Sequence, residues 1–578
     1  MKNLSIAILA IMISITVFAQ SPYKVKMTEP VALKGKEHAY TKGIIGENKD
    51  KIFILLDQTV VGDGQLSIVS YNKKNMTKDR SVNLFTDYKE AKNYTLTNYY
   101  PTKDGFIFFF ETEKKNVVNV YATTVDHGLK IKDKLNPIFQ FNDKEMDVRF
   151  LQAEGRSDFV MISQKFVEEG EEIMIDYFLY DQKFKPKHDG KISTGLYSTI
   201  SLKKASRRSF DNLSDFRLSD NGDLIGLTYT RADKNDKFSG YYQLGFTNVE
   251  TGNTQTFPIE LKDAFFDEYT LIVNDGAVVI SGFYQDRIEK DRILSDNKKI
   301  KSSRRINGTF FRRYDLTTYE LLNSSQIAID EVLANKIANG NPATRGGLFK
   351  AEKDDTDLSS RYNITDVIFD SESKKANIYC EYKYNYSTTS SRTVNGVTTT
   401  TTTYHSVRGN LFYFQISLED GSITWYENIR KYSHFQSSSP SIYYVISTNV
   451  IPGKTKDYVF YLTSRFFDEN NPDDLKGEKF KAKKVESAFI TAVVNRQNGR
   501  NESYKPEMVE GKRKKHETTD FSSIYRSDEV GVIYTINASF KLKIMKSIFA
   551  SYIALFNRKI LNKLSDETYT ISQVTLDK

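Results

Sequence analysis

Short apolar runs that alternate with polar turns recur along the whole chain. In residues 159–180 the run FVMISQ is followed by the acidic loop KFVEEGEE and by IMIDYFLY, in which apolar side chains occupy every second position. Period-two alternation on both sides of a polar tip is typical of an antiparallel β-hairpin, and helical spacing fits neither arm. This stretch therefore predicts two neighbouring strands of one sheet.

The same two-arm pattern occurs eight times along the chain. The first arms, which tend to follow a charged or glycine-containing turn, are IFILL, FIFFF, FVMIS, LIGLTY, AVVISGFY, ANIYCEY, YVFYLTS and VGVIYTI. The second arms end in polar turns, from Tyr71-Asn72-Lys73 in the first unit to Phe556-Asn557-Arg558 in the eighth. Asn, Asp and Gly suit such turns because they tolerate left-handed backbone or bond to their own backbone.

Weaker strand candidates flank each pair of arms, such as Tyr362–Phe369 before the sixth pair and Ile423–Ile429 after it. Each unit is thus expected to hold about four antiparallel strands, and no helical crossover separates the units. Such units in series predict an all-β fold, a β-propeller of about eight four-stranded blades packed face to face. Seven blades, if an outer unit is misassigned, and two stacked β-sandwich domains are the alternatives.

Three segments depart from the repeat. Ser325–Gly340 carries four apolar residues on one helical face between suitable cap residues, which predicts one short inserted helix. The Ser/Thr-rich run Ser387–Thr403 contains Asn395-Gly396, a type I′ turn signal that favours a long protruding hairpin over a disordered linker. Residues 541–564 fit either a basic amphipathic helix or two strands. The match of SIFASYIALFNRK to the second-arm pattern favours strands, which would supply the eighth unit.

Long loop insertions are expected at residues 285–307, 324–360, 385–407 and 465–484. In a four-stranded blade, the link between the second and third strands and the link to the next blade emerge on the same face. All four insertions therefore decorate one face, and insertions on one face of a repeat array commonly line the binding surface. Weak candidates for ligand contacts on this face are Arg304, Arg305, Tyr386, Tyr404 and His405.

The N-terminus has the layout of a secretory signal peptide. Lys2 precedes a nearly uncharged apolar run that ends at Phe18, and Val17 and Ala19 occupy the −3 and −1 positions of a cleavage site. The run is too short for a spanning helix, and no cysteine follows it to carry a lipid anchor. We expect a signal peptide at 1–19, one propeller domain at 20–578, and a location in the periplasm or at the outer-membrane or extracellular surface.

Composition narrows the classes of partner. A formal charge of +8 is small for 578 residues and argues against a dedicated nucleic-acid binder, which would show a dense basic stripe. Cys380 is the single cysteine, which excludes an intramolecular disulfide and a cysteine-based zinc site. No later stretch has the length of a membrane span. The expected partner is an unknown envelope protein or a glycan.

No local motif carries catalytic chemistry. The 6 histidines show no i, i+4 pair, and no Gly-x-Ser-x-Gly elbow, Walker loop or dinucleotide glycine pattern is present. The acidic runs at 168–172 and 468–474 are expected to be solvated loops, and Trp425 is expected to pack in an outer strand. We therefore expect no catalytic, cofactor-binding or metal-binding residues and no cofactor.

Two classes of function are compatible with that absence of motifs. The favoured one is a non-enzymatic binding or scaffold propeller of the cell envelope. The alternative is a secreted hydrolase that acts on glycans or peptides, with residues from several blades meeting at the propeller mouth. Such a site is assembled in space and leaves no local motif.

One region also resembles known proteins. It comprises the Tyr/Ser/Thr-rich segment that ends at Tyr404, the strand NLFYFQISLEDG, and GSITW running into Ile429-Arg430-Lys431. These motifs resemble a group of uncharacterised secreted β-propeller-like proteins of Bacteroidota, and the signal peptide ending VFAQ is similar to exported proteins of that phylum. The shared motifs cover about a fifth of the chain. The resemblance implies export and a propeller-like fold, and it implies no activity or site residues.

Overall fold

A computed structural model gives the fold of the chain. It describes residues 24–575, with gaps at 28–30, 34–39, 58–65, 86–87, 92, 133–134, 143–144, 154–155, 199–214, 232–239, 275, 291–298, 303–305, 330–360, 371–372, 395–396, 439, 441–447, 465–486, 505–524, 528–531 and 543–564. The predicted signal peptide at 1–19, the candidates Arg304 and Arg305, and the predicted insertion at 465–484 lie outside the described residues. No described helix is long and apolar enough to cross a membrane.

The described strands form antiparallel sheets that follow one another along the chain. The first described strands are β1 (Lys24–Met27) and β2 (Val31–Leu33). Sheet 1 contains β3 (Tyr40–Glu47), β4 (Lys51–Asp57), β5 (Leu66–Asn72) and β6 (Lys78–Asn83), and helix α1 (Tyr88–Ala91) follows it. Sheet 2 contains β7 (Thr95–Thr102), β8 (Gly105–Lys114), β9 (Val117–Asp126) and β10 (Asn136–Asn142). Sheet 3 contains β11 (Met146–Leu151), β12 (Phe159–Lys165), β13 (Glu172–Tyr180) and β14 (Pro186–Tyr197). Sheet 4 contains β15 (Phe216–Leu218), β16 (Asp223–Arg231), β17 (Gly240–Asn248) and β18 (Thr254–Ile259).

The later sheets carry extra strands. Sheet 5 contains β19 (Ala264–Asn274), β20 (Ala277–Lys290), β21 (Lys299–Ser302), β22 (Gly308–Asp315) and β23 (Leu321–Ala328). Sheet 6 contains β24 (Tyr362–Asp370), β25 (Lys375–Val394), β26 (Val397–Ser417), β27 (Ile423–Ile429) and β28 (Ser433–Ser437). Sheet 7 contains β29 (Thr448–Pro452), β30 (Lys456–Ser464), β31 (Ser487–Asn495) and β32 (Asn501–Tyr504). Sheet 8 contains β33 (Tyr525–Arg526), β34 (Val532–Leu542) and β35 (Ser565–Thr575), and both β1 and β2 pair with β35.

The middle strands of each sheet explain the apolar runs of the sequence. In β12 the six residues from Phe159 to Gln164 are all buried, whereas β13 alternates between buried and half-buried positions. A strand flanked by strands on both sides and by sheets on both faces has no solvated surface, so it tolerates a continuous apolar run. The arms predicted at 159–180 are therefore the two central strands of sheet 3.

Apolar clusters join neighbouring sheets face to face. Between sheets 2 and 3, the Phe109 ring stacks on Phe150 at 4.2 Å and meets the edge of Phe159 at 5.1 Å. Similar clusters connect the other consecutive pairs from sheet 1 to sheet 7, and one holds Val532 and Tyr534 of sheet 8 against sheet 1. Serial antiparallel sheets packed in this way have β-propeller architecture, which confirms the predicted all-β class.

The first strands of neighbouring sheets lie on the inner side of this array. Contacts join β3 to β7, β11 to β15, β19 to β24, and β24 to β29. Several of these strands contain a bulge, among them β19 at Asp267 and β24 at Thr365. A bulge turns a side chain away from its regular direction, which matters for the groups on the inner surface.

Two predictions at the ends of units are wrong. Ser325–Ala328 lies in β23, which pairs with β22 from Tyr314 to Gly308, and is not the start of a helix. The ladder of backbone hydrogen bonds outweighs a weak helical periodicity there, and residues 330–340 lie outside the described residues. In sheet 8 the strand that follows β34 in the ladder is β35, so the second arm of the eighth unit was assigned to the wrong segment; SIFASYIALFNRK itself lies outside the described residues.

Candidate ligand-binding site on the long hairpin of sheet 6

The Ser/Thr-rich run forms a hairpin much longer than the rest of its sheet. Strands β25 and β26 remain paired as far as Val394 and Val397, on either side of the predicted Asn395-Gly396 turn. Near the tip, exposed hydroxyl groups face each other across the strands, as in the pair Ser391–Thr400 at 3.1 Å. Cross-strand pairs of this kind stabilise a two-stranded ribbon. The prediction of a hairpin in this segment is confirmed.

Strand β28 supports the hairpin where it leaves the body of the sheet. Strand β27 pairs with β26 only as far as Leu411, and β28 takes its place between Arg408 and Tyr404. Because β28 follows a short connection after β27, its residue His434 is placed opposite Val407. The base of the hairpin is therefore a three-stranded ribbon with two distinct faces.

One face of this ribbon carries a histidine cluster, defined as Tyr386, Thr388, His405 and His434. His405 Nδ1 and His434 Nε2 lie 3.1 Å apart, and Thr388 Oγ1 lies 2.9 Å from His405 Nε2. The Tyr386 ring stacks on the His405 ring at 4.3 Å with a 2° tilt, and its hydroxyl is 3.5 Å from His434 Nε2. Residues alternate along a strand, so Tyr386 and His405, which are directly paired, share this face.

Burial favours the neutral form of both imidazoles of the histidine cluster. Each side chain is buried, with 8% of His405 and 6% of His434 exposed. Burial lowers the pKa of His405, and burial together with the neighbouring His405 lowers the pKa of His434 to about 4. Burial disfavours the charged imidazolium, so the ring nitrogens keep lone pairs available for a donor or a cation.

An aromatic row extends from the histidine cluster toward the body of the sheet. It consists of Tyr386, Tyr384 and Arg361: the two tyrosine rings stack at 5.5 Å, and the Arg361 guanidinium lies over Tyr384 at 4.0 Å. Both tyrosines are half-buried and Arg361 is exposed. The row therefore presents flat aromatic surface and one cation to solvent.

The other face of the ribbon carries a basic cluster. The buried Lys431 Nζ donates to the Glu381 carboxylate and, over 2.8 Å, to Thr448 Oγ1, while Arg408 Nε lies 3.9 Å from Glu381. Asn385 joins this face because its side-chain oxygen Oδ1 accepts from Arg408 Nη1 at 3.0 Å. Burial lowers the pKa of Lys431 and of Arg408, and in both cases the Glu381 carboxylate opposes that shift.

Asn410 lies beside the basic cluster with its hydrogen-bonding capacity unused. The register between β25 and β26 shifts between Glu381 and Lys383, and this irregularity leaves Asn410 fully buried. Neither its amide nitrogen nor its amide oxygen has a hydrogen-bond partner among the described residues. A buried amide without partners is costly. A bound polar group that formed hydrogen bonds with Asn410 would therefore be stabilised at this position.

A second group of polar residues lies on the inner strands. Asp267 occupies the bulge of β19, accepts a hydrogen bond from Gln285, and has a buried Oδ2 without a described partner. Burial raises its pKa to about 7. Burial also raises the pKa of the adjacent Glu268, which accepts from Asn363 Nδ2 at 3.2 Å.

A cavity of about 330 Å³ opens between the inner strands β19 and β24. Its lining includes Tyr269 and Asp366. The Tyr269 hydroxyl donates to Asp215 Oδ2 over 2.6 Å, and the Asp366 carboxylate bonds to Arg526 of sheet 8. Carboxyl groups thus gather at the inner side of sheets 5 and 6.

The structure brings together two of the five candidates from the sequence. Tyr386 and His405 are in contact within the histidine cluster. Tyr404 precedes His405 in β26, and strand alternation places it on the opposite face. His434 was missed because its only sequence signal is a lone histidine after the sixth unit. Its contact with His405 depends on the extra strand β28.

Two other sequence expectations have outcomes here. Trp425 packs between sheets 6 and 7, as expected, with Nε1 donating to the Arg496 carbonyl oxygen at 3.2 Å and its ring against Tyr413. Glu168, Glu169 and Glu171 lie in an exposed or half-exposed tip between β12 and β13. The acidic run at 468–474 lies outside the described residues.

No family model and no curated protein matches the chain. It is similar to the β-propeller domain of the Trilobed protease from Pyrococcus furiosus, with 11% identity, 59% of this chain and 91% of that chain covered, and a TM-score of 0.25. The WD40 domain of SCAP from fission yeast has 7% identity, coverages of 97% and 96%, and a TM-score of 0.24. A member of the DUF4221 family from Bacteroides vulgatus has 9% identity, coverages of 84% and 100%, and a TM-score of 0.25. These similarities assign no activity, and the fold rests on the sheet order described above.

Proposed function

We propose that the protein is an exported, non-enzymatic binding propeller of a bacterial cell envelope, with eight blades and a partner that is an envelope protein or a glycan. The observation that carries the proposal is the aromatic row on a ribbon that projects from sheet 6. Tyrosine and arginine are enriched among the residues that dominate binding energy, because they bury a large rigid surface and also offer polar groups. Export is supported by the signal-peptide layout and by the resemblance to secreted proteins of Bacteroidota.

The eight-blade arrangement is supported by the pairing of the two ends of the chain. Strands β1 and β2 pair with β35, so the N-terminal segment completes the sheet formed by the C-terminal strands. Sheet 8 also contacts sheet 7, since Arg526 Nη2 donates to the Val450 carbonyl oxygen at 2.6 Å. A sheet built from both termini closes a ring of blades and leaves few free strand edges.

The ribbon is suited to binding because its side chains are already held in place. Stacking fixes Tyr384 against Arg361 and Tyr386 against His405 before any partner arrives. Side chains that are ordered in the free protein lose little conformational entropy on association, which increases affinity. The hydroxyl pair Ser391–Thr400 near the tip lies on the opposite face by strand alternation, so it does not belong to this surface.

The test compares variants of the row with variants of the tip. The double substitution Tyr384→Ala and Arg361→Ala removes the half-exposed end of the row, and Ser391→Ala with Thr400→Ala is the matched control on the same hairpin. Binding would be measured by crosslinking to envelope fractions and on a glycan array. We expect the row variant to lose at least about tenfold in affinity, because one hot-spot side chain is worth about 2 kcal/mol. Equal binding by both variants would contradict the proposal.

A second candidate function rests on Asp267. A secreted hydrolase of glycans or peptides needs a carboxyl group that titrates near the working pH, and burial raises the pKa of Asp267 to about 7 beside Glu268. The test assays the protein against glycan and peptide panels alongside Asp267→Asn, with Asp263→Asn in the exposed turn before β19 as the control. Turnover that disappears only in Asp267→Asn would establish a hydrolase, and absence of turnover in the unmodified protein would exclude this candidate for those substrates.

A further inference from the structure

The histidine cluster brings three potential metal ligands from three different strands to one point. Tyr386 lies on β25, His405 on β26 and His434 on β28. The two imidazole nitrogens that face each other are 3.1 Å apart, and the Tyr386 hydroxyl is 3.5 Å from the nitrogen of His434. A hydrogen bond between the two histidines involves only their facing nitrogens, whereas here the Tyr386 hydroxyl also lies near the His434 nitrogen.

The separations match those between ligands of one metal ion. For metal–ligand bonds of about 2.05 Å, nitrogens 3.1 Å apart subtend about 100° at the ion, and a nitrogen and oxygen 3.5 Å apart subtend about 120°. The two angles lie on either side of about 109°, the tetrahedral value that zinc adopts with nitrogen and oxygen ligands. Three protein ligands leave a fourth position for water or for a group of a partner.

The surroundings of the two histidines favour ligation. Both imidazoles are buried, and the contacts around them hold the two facing nitrogens in place. Thr388 Oγ1 lies 2.9 Å from His405 Nε2, where it can accept the N–H of the nitrogen that faces away from the cluster. Such an outer hydrogen bond fixes the tautomer and leaves Nδ1 unprotonated toward the metal.

Two neighbouring cations lie on the other face of the ribbon. Arg408 and Lys383 are paired across β25 and β26, and strand alternation places them on the opposite face from His405 and Tyr386. On that face the Glu381 carboxylate accompanies Arg408. The face of the histidine cluster also carries Tyr384, the apolar Val407 and the buried Tyr432, and the Arg361 guanidinium lies over the Tyr384 ring at the far end of the aromatic row.

We propose that His405, His434 and Tyr386 form a binding site for a divalent transition metal, Zn²⁺ or Cu²⁺, that ties β28 to the long hairpin. Imidazole nitrogen and phenol oxygen are ligands that suit both ions, and copper binds more tightly than zinc to a given site of this type. The inference does not depend on the binding function proposed above, because it concerns how the ribbon is held together.

The experiment titrates the full-length mature protein with Zn²⁺ and with Cu²⁺ at neutral pH. We expect one ion per chain, a rise in melting temperature with either ion, and a Cu²⁺ electron paramagnetic resonance spectrum with hyperfine splitting from two nitrogens. Binding should weaken on acidification, because protons then compete for the imidazoles. His188→Ala, which changes a half-buried histidine on β14, is the control and should bind as the unmodified protein does.

The variants separate ligands from supporting groups. His405→Ala and His434→Ala should each abolish the two-nitrogen spectrum, and Thr388→Ala should weaken binding about 10- to 100-fold, as expected for an outer hydrogen-bond partner. Tyr386→Phe keeps the ring stacking and should alter the spectrum of bound Cu²⁺ without unfolding the hairpin. The proposal is overturned if the folded protein takes up no stoichiometric metal, or if a folded double variant without both histidines binds as tightly as the unmodified chain.

Discussion

The interface between sheets 6 and 7 depends on one buried carboxylate. Asp457, at the start of β30, is fully buried and accepts from Asn377 Nδ2 at 2.7 Å, from the Tyr379 hydroxyl at 2.8 Å and from Arg496 Nε at 2.7 Å. Asn377 and Tyr379 belong to β25, so two of the three bonds cross from sheet 6 to sheet 7. We predict that Asp457→Ala destabilises this interface more than any substitution of a surface ion pair.

The expected magnitude follows from the groups that lose their acceptor. Breaking a buried ion pair by removing one partner costs about 3–5 kcal/mol, and each buried neutral donor without an acceptor costs about 1–3 kcal/mol. Because all three donors share one carboxylate, these costs are not additive, and we expect a total of about 3–5 kcal/mol. Tyr379→Phe removes a single bond to a charged group and should cost about 1.5–3 kcal/mol.

Trp425 provides the assay. It is the only tryptophan, and its Nε1 donates to the Arg496 carbonyl oxygen, so its fluorescence reports on this interface. Urea unfolding would be followed by Trp425 emission and by circular dichroism. In Asp457→Ala the fluorescence transition should move to lower urea and precede the loss of strand signal, because the interface opens first.

The control is Glu419→Ala, which removes an ion pair with Lys374 in which both side chains are more than 60% exposed: 64% and 63%. Exposed pairs of this kind contribute little because water screens them. A midpoint for Asp457→Ala equal to that of Glu419→Ala would refute the reasoning.

Three further predictions concern single side chains. Phe109→Ala empties the contact with Phe150 and Phe159 and should lower the free energy of unfolding by about 3–5 kcal/mol, measured by urea denaturation. The pKa of Asp267 in the folded protein is raised to about 7, so its neutral form stabilises the fold at low pH. Stability should therefore fall as the pH rises from about 4 to 7, and Asp267→Asn should remove that trend from melting curves. The pKa of His434 in the folded protein is lowered to about 4, so the histidine takes up a proton on unfolding below pH 6.5. Stability should therefore fall on acidification toward pH 4, and His434→Gln should flatten the dependence of melting temperature on pH in this range.

Local patterns predicted the central strands and many of their turns. The arms around 159–180 became β12 and β13 because alternation and continuous burial are properties of the residues themselves. Gly222 and Gly421 lie in predicted turns and have φ values of +85° and +74°, a region in which other residues are strained. These features depend on only a few neighbouring residues, so they can be predicted from the sequence.

Contacts between distant segments were not predictable in the same way. No local pattern indicates that β1 pairs with β35 at the other end of the chain, and the eighth unit was therefore assigned to the wrong segment. His434 joins His405 only because β27 stops pairing at Leu411 and β28 continues in its place. Both results depend on which strand pairs with an available sheet edge, and that is a property of the assembled sheet.

The two faces of the long hairpin carry different side chains, so the register between its strands determines on which face each side chain lies. A slip of one residue between β25 and β26 would exchange the faces of the strand and move His405 away from Tyr386 and toward Asn385. Ser/Thr pairs alone specify register weakly, because neighbouring rungs of the ladder are chemically alike. The irregularity at Asn410 marks one position in β26, and the pairing of Ser433 on β28 with Arg408 on β26 fixes a second. The third strand therefore does more than add His434: together with the bulge, it holds the aromatic row and the basic cluster on their separate faces.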